Sequence, residues 1–430
     1  MIAAGAPGAT TLRGWVLHSE WRALWASAAA HFCLLAGYYM LRSLREGFVL
    51  QAGRSHIAAL FYLVTVVMFF VLPVYWWLVA RLPRRWLFPV IYGAVALLMV
   101  ALAIGLQTTP GSRTLAGAFF VAVNSVNLFI ISVFWSVMAD VWKSISAKRI
   151  FGFIAAGGSA GALAGPAFNA LFVETVGPIT AIYIACALLL LAAVFGVWAQ
   201  RLRAVDTAAP AARLDGAVGG LARDDLKRLA SSKYMLAIAA VIVIGQTLGA
   251  LMYNEQAKYV ESAFATLEAR TALFAQVDLW VSILSLVLQA TVVGWLAARG
   301  SMKLALTAVP VIVGASFLWL ALAPVGAVLL ATQIVRRSTE YGLSKPTREM
   351  LFTILNPESK FKSKSLIDTV LHRGGDSFGN AVYQFMANGG LAFIASVATA
   401  VSALLLLASL WLANAFTRQE VADSAEALPK

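Results

Sequence analysis

The chain has few charged residues and almost no cysteine for its length. Asp, Glu, Lys and Arg make up 12% of its 430 residues, and the two cysteines, Cys33 and Cys186, both lie in apolar stretches. Two isolated thiols exclude a disulfide framework and a cysteine-based metal cluster, so we interpret them as packing residues. None of the motifs GxxxxGK[ST], HExxH and GxSxG stands in a supporting context. The sequence therefore predicts no enzyme, no catalytic residue, no cofactor and no metal site.

The chain is rich in apolar residues, which occur in long runs. Hydrophobic residues make up 61% of the chain and the mean hydropathy is +0.81. The apolar runs are about 20 residues long, which is the length that crosses a bilayer as a helix. We therefore predict an all-α polytopic membrane protein. The net charge of +13 comes from basic residues in short loops between these runs, a pattern that reports membrane topology rather than nucleic-acid binding.

The apolar runs predict twelve membrane-spanning helices in two sets of six. They are placed at residues 22–41, 57–80, 86–106, 114–138, 150–172, 178–199, 235–253, 275–297, 304–323, 325–343, 365–387 and 390–414. An Ala-, Gly-, Arg- and Asp-rich linker separates the two sets. The resulting division is an N-terminal tail (1–21), a first bundle (22–199), the linker (200–234), a second bundle (235–414) and a C-terminal tail (415–430).

Loop charge and weak internal repeats indicate an orientation and a fold. Basic residues concentrate in the loops on the side of the linker, which predicts that both termini face the cytoplasm. A short basic loop follows the second helix of each half, RLPRR at 81–85 and ARGSMK at 298–303. Two sets of six helices with such weak internal repeats resemble the major facilitator superfamily (MFS). The resemblance implies a substrate site between the halves near the bilayer midplane and transport by alternating access.

Charged residues inside the predicted span 325–343 are the first candidates for ligand binding, because ionisable groups in hydrocarbon are costly and usually functional. Arg336 lies roughly 16 Å along this span, near the middle of a hydrocarbon core about 30 Å thick. Arg337 is adjacent, and Glu340 follows Arg336 by one helical turn. One interpretation is an Arg336–Glu340 ion pair that opens when an anion binds. The alternative is a structural salt bridge that locks the helix to a neighbour.

The predicted span 365–387 carries a second set of ionisable residues. Asp368, His372 and Asp376 recur at four-residue spacing, with Arg373 next to them. Three ionisable groups on one face of a membrane helix should line a cavity rather than face lipid. His372 is a candidate for proton coupling. The alternative is a polar cluster that pairs with Arg336 and Arg337 and holds the two helices together.

Other polar and small residues give weaker candidates. Arg45 and Glu46, placed at the outer end of the first span with Arg42, suggest an outer gate or anion entry patch, or charges that merely extend to the interface. Asn124 and Asn127 could bind substrate or another helix. Asn254 and Glu255 are placed with Lys258 in an outer cluster at the end of the seventh span. The glycines of the fifth span are predicted to pack closely against another helix: Gly157, Gly158, Gly161 and Gly165.

Three stretches resemble the bacterial and plastid ATP/ADP (nucleotide) transporter family. They are STEYGLSKPTREMLFTILNPESKFKSKSLIDTVLHRGGDSFG at 338–379, LREGFVL at 44–50 and FWSVMADVWKSISAKRIFGFIAAGG at 134–158. The resemblance implies a carrier that exchanges nucleotides or related phosphorylated solutes across the inner membrane and holds the phosphates with cationic side chains. The positions it carries over are Arg45, Glu46, Lys148, Arg149, Arg348, Glu349, Lys364, Asp368 and Arg373.

One position departs from that family. Asp376 stands where nucleotide exchangers carry a Lys, which replaces a phosphate-binding charge with one that repels phosphate. We therefore expect transport of another phosphorylated or anionic metabolite rather than simple ATP/ADP exchange. The expected partners are this small molecule, membrane lipids and a coupling proton or counter-substrate; nucleic acid is not expected, and the protein is expected to be a monomer.

The candidate residues fall into two groups. The substrate-binding set is Arg336, Arg337, Glu340, Arg373, Asp376, Asn124, Asn127 and Arg45. The proton-coupling or gating set is Asp368, His372, Glu46, Asn254, Glu255, Lys148, Arg149, Arg348, Glu349 and Lys364. Two other functions stay open: a proton-coupled exporter of amphiphilic or cationic compounds, and a membrane scaffold that transports nothing.

Overall fold

The computed structural model describes residues 20–142, 147–203, 232–293, 302–351 and 371–426, and these segments are helices joined by short turns. No strand occurs among them. Ten of the helices are long and apolar enough to cross a membrane, judged by length and composition. A span of this kind satisfies its backbone hydrogen bonds internally, as a bilayer requires. The prediction of an all-α polytopic membrane protein is confirmed.

Within each described segment the helices follow one another with short connections. Their bounds are α1 Trp21–Ala52, α2 Ile57–Arg81, α3 Arg84–Thr108, α4 Arg113–Val141, α5 Ala147–Val176, α6 Pro178–Leu202, α7 Lys233–Ala263, α8 Leu267–Leu288, α9 Met302–Leu322, α10 Gly326–Thr339, α11 Lys345–Leu351, α12 His372–Met386 and α13 Gly390–Glu426. Two π-helical segments interrupt this order, Gln289–Val293 directly after α8 and Glu340–Ser344 between α10 and α11.

Several predicted spans agree with the observed helices, but others are longer than predicted: α8 begins at Leu267 rather than 275, and α13 runs to Glu426 rather than 414. The span predicted at 57–80 is observed as Ile57–Arg81, whereas α1 continues to Ala52 and α7 to Ala263. Arg42, Arg45 and Lys258 therefore lie inside helices, and their placement in outer connections was wrong. Hydropathy falls at these positions, but a helix can continue where a polar side chain finds a partner inside the protein, as Arg45 does by donating to Asn124 Oδ1 at 2.7 Å.

Two connections between helices occur where glycine and proline predict breaks. α9 ends at Leu322 and α10 begins at Gly326, so the break lies at Pro324 and Val325. α12 ends at Met386 and α13 begins at Gly390, whose φ of 77° is a left-handed conformation that glycine adopts without strain. The span predicted at 325–343 is observed to continue through the π-helical segment to Leu351.

The chain divides into two compact units. The N-terminal unit comprises the described residues of Met1–Arg45 and Phe70–Arg213, and the C-terminal unit comprises those of Glu46–Phe69 and Leu214–Lys430. The last turns of α1 and the first half of α2 thus belong to the C-terminal unit. Within that unit Arg54 Nε donates to Glu261 Oε2 at 3.0 Å, and Thr65 Oγ1 lies 3.3 Å from Ser377 Oγ.

Glycines of α5 allow close approach to α1 in the N-terminal unit. A Cβ added at Gly157 would lie 2.6 Å from the carbonyl oxygen of Ala28, and one added at Gly161 would lie 3.0 Å from the backbone nitrogen of Ala36. Added Cβ atoms at Gly158 and Gly165 would likewise overlap the His31 ring and the Ala36 carbonyl. These are helix-packing positions of the small-residue kind found in membrane proteins. The prediction that the α5 glycines serve packing is confirmed.

Candidate functional site

Two adjacent arginines of α10 have different surroundings. Arg337 Nη2 lies 2.5 Å from Asp278 Oδ1 of α8, and both side chains are largely buried. Ser338 lies beside this pair and donates its hydroxyl to the Val281 carbonyl at 3.4 Å. A buried ion pair of this geometry neutralises both charges. Arg337 therefore joins α10 to α8, and its partner is not an aspartate of α12, as one interpretation of the sequence had proposed.

Arg336 is held by an amide rather than by a carboxylate. Its Nε and Nη2 atoms donate to Gln333 Oε1 at 3.2 and 3.0 Å, and Gln333 Nε2 donates to Gln256 Oε1 of α7 at 2.7 Å. The guanidinium packs against Gly249, where an added Cβ would lie 3.2 Å from Nη1. Among the described residues no carboxylate lies within 4.0 Å of Arg336, so the proposed Arg336–Glu340 ion pair is absent. The Arg336 charge is therefore oriented by an amide and makes no direct ion pair with the described residues.

A second polar group joins α7 to α12. Gln246 Nε2 donates to Asp376 Oδ1 at 2.8 Å and lies 2.9 Å from His372 Nδ1. The closest separation between His372 and Asp376 is 3.9 Å, from Nδ1 to Oδ2. The helices approach closely here, because a Cβ added at Gly375 would lie 2.9 Å from Gln246 Cβ. His372 and Asp376 do share one face of α12, and that face is turned toward α7.

α7 is the element that brings these groups near each other. Gln246 contacts His372 and Asp376, while Gly249, three residues later, contacts Arg336. Residues three apart lie on the same face of a helix. Arg336 of α10 and the polar residues His372 and Asp376 of α12 thus contact the same turn of α7.

A cavity in the C-terminal unit extends from this region. Its volume is about 50 Å³, part of it open to the surface, and α7, α9, the π-helical segment Glu340–Ser344, α11 and α13 all contribute to its lining. Most of the lining is apolar, but Gln246, Glu340, Ser344 and Arg348 give it a polar side. Glu340 is half-buried and belongs to no ion pair among the described residues. The cavity is therefore lined by the carboxylate of Glu340 as well as by the guanidinium of Arg348.

Three of the predicted gating residues are buried and hydrogen-bonded inside the C-terminal unit. Tyr253 donates to Glu46 Oε2 at 2.6 Å, Tyr383 donates to Glu255 Oε1 at 2.8 Å, and Asn254 Nδ2 donates to Asn380 Oδ1 at 2.8 Å. The expectation that Asn254 and Glu255 form an outer cluster at a helix end was wrong, since α7 continues past them.

The N-terminal unit holds a smaller polar group. Arg45 Nη1 donates to Asn124 Oδ1 at 2.7 Å, and the guanidinium carbon lies 5.4 Å from the centre of the Phe120 ring. Asn124 in turn donates to the Phe120 carbonyl at 2.9 Å. Asn127 Oδ1 is buried and accepts no hydrogen bond from the residues that the structure describes. Asn124 thus orients Arg45, and Asn127 offers a buried acceptor close by in the sequence.

The remaining predicted residues fall partly or wholly outside the described residues. Lys364 and Asp368 lie outside the described ranges, and the side chains of Lys148, Arg149 and Glu349 are also outside what the structure describes. Arg373 is half-buried in the first turn of α12. The proposed stripe of Asp368, His372 and Asp376 is therefore described only for its last two members.

Sequence reasoning missed two residues that organise the site. Asp278 is 2% exposed in the apolar run LFAQVDLWVSIL, and Gln246 is the polar residue that connects α7 to α12. An isolated acid in an apolar run is the same signal that singled out Arg336. That signal was present for Asp278, whereas Gln246 is an uncharged amide and draws less attention.

The C-terminal half of the chain matches a known transporter family. The sequence model of the TLC ATP/ADP transporter family matches residues 220–420, slightly less than half of the chain. The match includes α7–α12 and the stretch 338–379 on which the resemblance chiefly rested. No curated protein matches the chain.

Solved transporters share the fold over almost the whole chain. A POT family transporter in complex with a thioalcohol-conjugated peptide superposes with a TM-score of 0.64 at 11% identity, covering 93% of this chain and 99% of its own. The nucleoside transporter NupG gives 0.59 at 12%, covering 94% and 99%. A bacterial homologue of the human lysosomal transporter Spinster gives 0.54 at 12%, covering 94% and 95%. The chain therefore has the fold of MFS-type transporters, and its C-terminal half resembles ATP/ADP transporters.

Proposed function

We propose that the protein is a secondary active transporter that works by alternating access and moves a nucleotide-like or other phosphorylated, anionic metabolite across the bacterial inner membrane. The observation that carries this proposal is the contrast between Arg336 and Arg337. Arg337 forms a direct ion pair with Asp278, whereas the Arg336 guanidinium donates to the Gln333 amide and has no carboxylate within 4.0 Å among the described residues. A cation in a membrane bundle that no carboxylate of the described residues contacts directly is costly unless a ligand supplies that contact.

The chemistry of Arg336 suits a phosphate or carboxylate. A guanidinium presents its donors in a planar fork, and two of its three nitrogens already donate to Gln333, which fixes the orientation of the group. Nη1 makes no hydrogen bond to the described residues and faces Gly249, a residue without a side chain. An anion that bonds to Nη1 would therefore find a pre-oriented donor.

We assign the other residues of the site supporting roles. In the C-terminal unit, Asp376 and His372 are held by Gln246 and would contact polar groups of the substrate or carry a coupling proton. Asp376 and Glu340 limit the negative charge that the C-terminal unit tolerates. This favours a substrate with fewer negative charges than ATP.

A proton-coupled exporter of amphiphilic cations is the second candidate function. The specific observation in its favour is Glu340, a half-buried carboxylate without an ion-pair partner among the described residues, in a cavity with mostly apolar lining. A carboxylate in apolar surroundings attracts an organic cation. The two functions predict opposite charge on the ligand, so one binding experiment separates them.

Ligand-induced stabilisation of the purified protein tests the proposal. A panel of nucleotides, sugar phosphates and amphiphilic cations is added separately, and the midpoint of thermal unfolding is measured for each, because a ligand that binds the native state stabilises it. We expect a phosphorylated compound to raise the midpoint in the wild type and not in the Arg336→Gln variant. Stabilisation by the cations alone would support the exporter instead.

We further propose an orientation in which both termini are cytoplasmic and the protein acts as a monomer. The basic loops supply the argument: RLPRR after α2 and the basic residues of the linker would lie on the cytoplasmic side. Membrane lipids would surround the apolar outer surface, where large side chains such as Phe70, Leu97 and Leu322 are exposed.

A further inference from the structure

The C-terminal unit contains two hydrophobic clusters, and Val241 of α7 packs against both. The larger cluster includes Leu248, Val313, Phe317, Leu329 and Tyr383. The smaller cluster includes Tyr234, Ile238, Leu351, Leu412 and Phe416. α7, α9 and α13 contribute residues to both clusters. The continuous helical stretch from α10 through Glu340–Ser344 to α11 contributes to the larger cluster at its α10 end and to the smaller cluster at its α11 end. Side chains packed in one cluster move together, so each cluster can behave as a rigid part.

The cavity described above lies between these clusters. Its lining includes Ala305, Val309 and Leu405 from the larger cluster and Ile238, Leu306, Leu351 and Leu412 from the smaller one. Protein interiors are normally packed at the density of organic crystals, with few voids larger than a water molecule. The packing between the two clusters is therefore incomplete at this level.

Helix-weakening features coincide with the cavity. Gly245 of α7 and Pro310 of α9 both line it, and the π-helical segment Glu340–Ser344 contributes two of its residues. Glycine lowers helix stability, proline removes one backbone hydrogen bond, and π-helical turns are rare and associated with functional sites. Three of the four helical rods around the cavity are thus locally weakened at the same level.

A second π-helical segment meets the first one. Gln289, the first residue of Gln289–Val293, donates from Nε2 to the Tyr341 carbonyl at 3.1 Å. A Cβ added at Gly342 would lie 2.8 Å from Leu288 Cβ, so the two helices are in close contact. On the α10 side of this contact the Arg337–Asp278 ion pair clamps α10 to α8. On the other side, Tyr234 donates to the Leu351 carbonyl at 2.9 Å and ties α11 to α7.

We propose that the C-terminal unit bends at this level, with the smaller cluster moving relative to the larger one about the paired π-helical segments and Gly245. The clamp between α10 and α8 stays closed while α11 moves with the start of α7 and the end of α13. The cavity provides the room for this motion. Arg336 belongs to the fixed side of the bend, whereas Glu340 and Ser344 form the joint and Arg348 lies beyond it.

Hydrogen–deuterium exchange on the full-length protein in lipid nanodiscs tests the bend without any substrate, so the result is separate from the proposed function. The variant is Gly245→Leu, whose side chain enters the cavity, since nothing lies within 4 Å of an added Cβ. The matched control is Gly93→Leu in α3, where an added Cβ also meets nothing within 4 Å. Deletion of Tyr341 is a second variant, because it removes the extra residue that a π-helical turn contains.

The expected result is local. Gly245→Leu should slow exchange in peptides covering 233–243 and 345–351 by about tenfold or more, because exchange there requires local opening, and should leave peptides covering 326–339 unchanged. The Tyr341 deletion should slow exchange over 345–351 in the same way, and Gly93→Leu should alter neither region. Equal slowing on both sides of the joint, or no slowing in either variant, would overturn the proposed bend.

Discussion

At the scale of residues, the role of a charged side chain in the membrane depends more on the group it contacts than on how deeply it lies in the bilayer. Arg336 and Arg337 are consecutive and both half-buried, yet one binds an amide and the other a carboxylate. The sequence showed that both arginines lie inside a membrane segment. It did not show which helix would supply a counter-charge, because that depends on the packing of α8 against α10. Asp278 therefore remained unnoticed, and the Arg336–Glu340 pair was proposed instead.

Replacement of Arg336 by Gln tests the role of the guanidinium group, whose Nη1 makes no hydrogen bond to the described residues. We expect binding of the phosphorylated ligand to weaken by about 10- to 100-fold, since a hydrogen bond to a charged group contributes about 1.5–3 kcal/mol. The unfolding midpoint should stay near that of the wild type, because Gln retains an amide donor for Gln333. Titration of the ligand against the thermal midpoint measures both effects. An equal loss of stability and binding would make Arg336 a structural residue.

Replacement of Asp278 by Asn should have the opposite profile. It leaves Arg337 buried without its counter-charge, which is expected to lower the free energy of unfolding by about 3–5 kcal/mol. The matched control is the double variant Asp278→Leu with Arg337→Met, which removes both charges together and should unfold close to the wild type. Thermal unfolding in detergent gives the comparison. A double variant as unstable as the single one would mean that the ion pair is not the cause.

At the scale of elements, hydropathy predicts where a membrane helix exists better than where it ends. α2 and α6 lie within a few residues of their predicted bounds, whereas α1 and α7 run on through Glu46 and through Asn254 and Glu255. These side chains find tyrosine and asparagine partners within the bundle, so the helix continues where hydropathy alone predicts an end. The π-helical segments were also beyond prediction, since the sequence at 340–344 is compatible with an ordinary helix.

The glycines of α5 give a test of helix packing within a single element. Gly161→Ala places a Cβ against the backbone of α1, and overpacking of this kind typically costs about 1–3 kcal/mol. Gly152→Ala in the same helix meets nothing within 4 Å and should leave the protein as stable as the wild type or more stable. Thermal midpoints of the two variants check the difference. Equal midpoints would show that close contact at Gly161 is not required.

At the scale of the whole molecule, composition predicts the class and the arrangement of helices, and the fold agrees with that class. The two units are less simple than two halves of the sequence, because the end of α1 and the start of α2 belong to the C-terminal unit. The sequence alone does not predict that residues from the N-terminal half pack in the C-terminal unit. The contacts responsible, such as those of Arg54 with Glu261, join residues far apart in the chain.

The proposed orientation predicts the behaviour of reporter fusions. A fluorescent protein that folds only in the cytoplasm should fluoresce when fused after Lys430, and a phosphatase that is active only in the periplasm should be inactive there. The same phosphatase inserted between α3 and α4, near Thr109, should be active, because successive membrane helices alternate in direction. The reverse pattern would contradict the assignment of the basic loops to the cytoplasm.

Uptake by the purified protein in liposomes tests the central claim most directly. Vesicles that contain wild type or the Arg336→Gln variant are offered labelled nucleotides, sugar phosphates and amphiphilic cations, with and without unlabelled compound inside. The account predicts uptake of a phosphorylated compound by the wild type and its loss in the variant, with both proteins folded. Uptake confined to the cations, or uptake of the phosphorylated compound that is equal in both proteins, would contradict it.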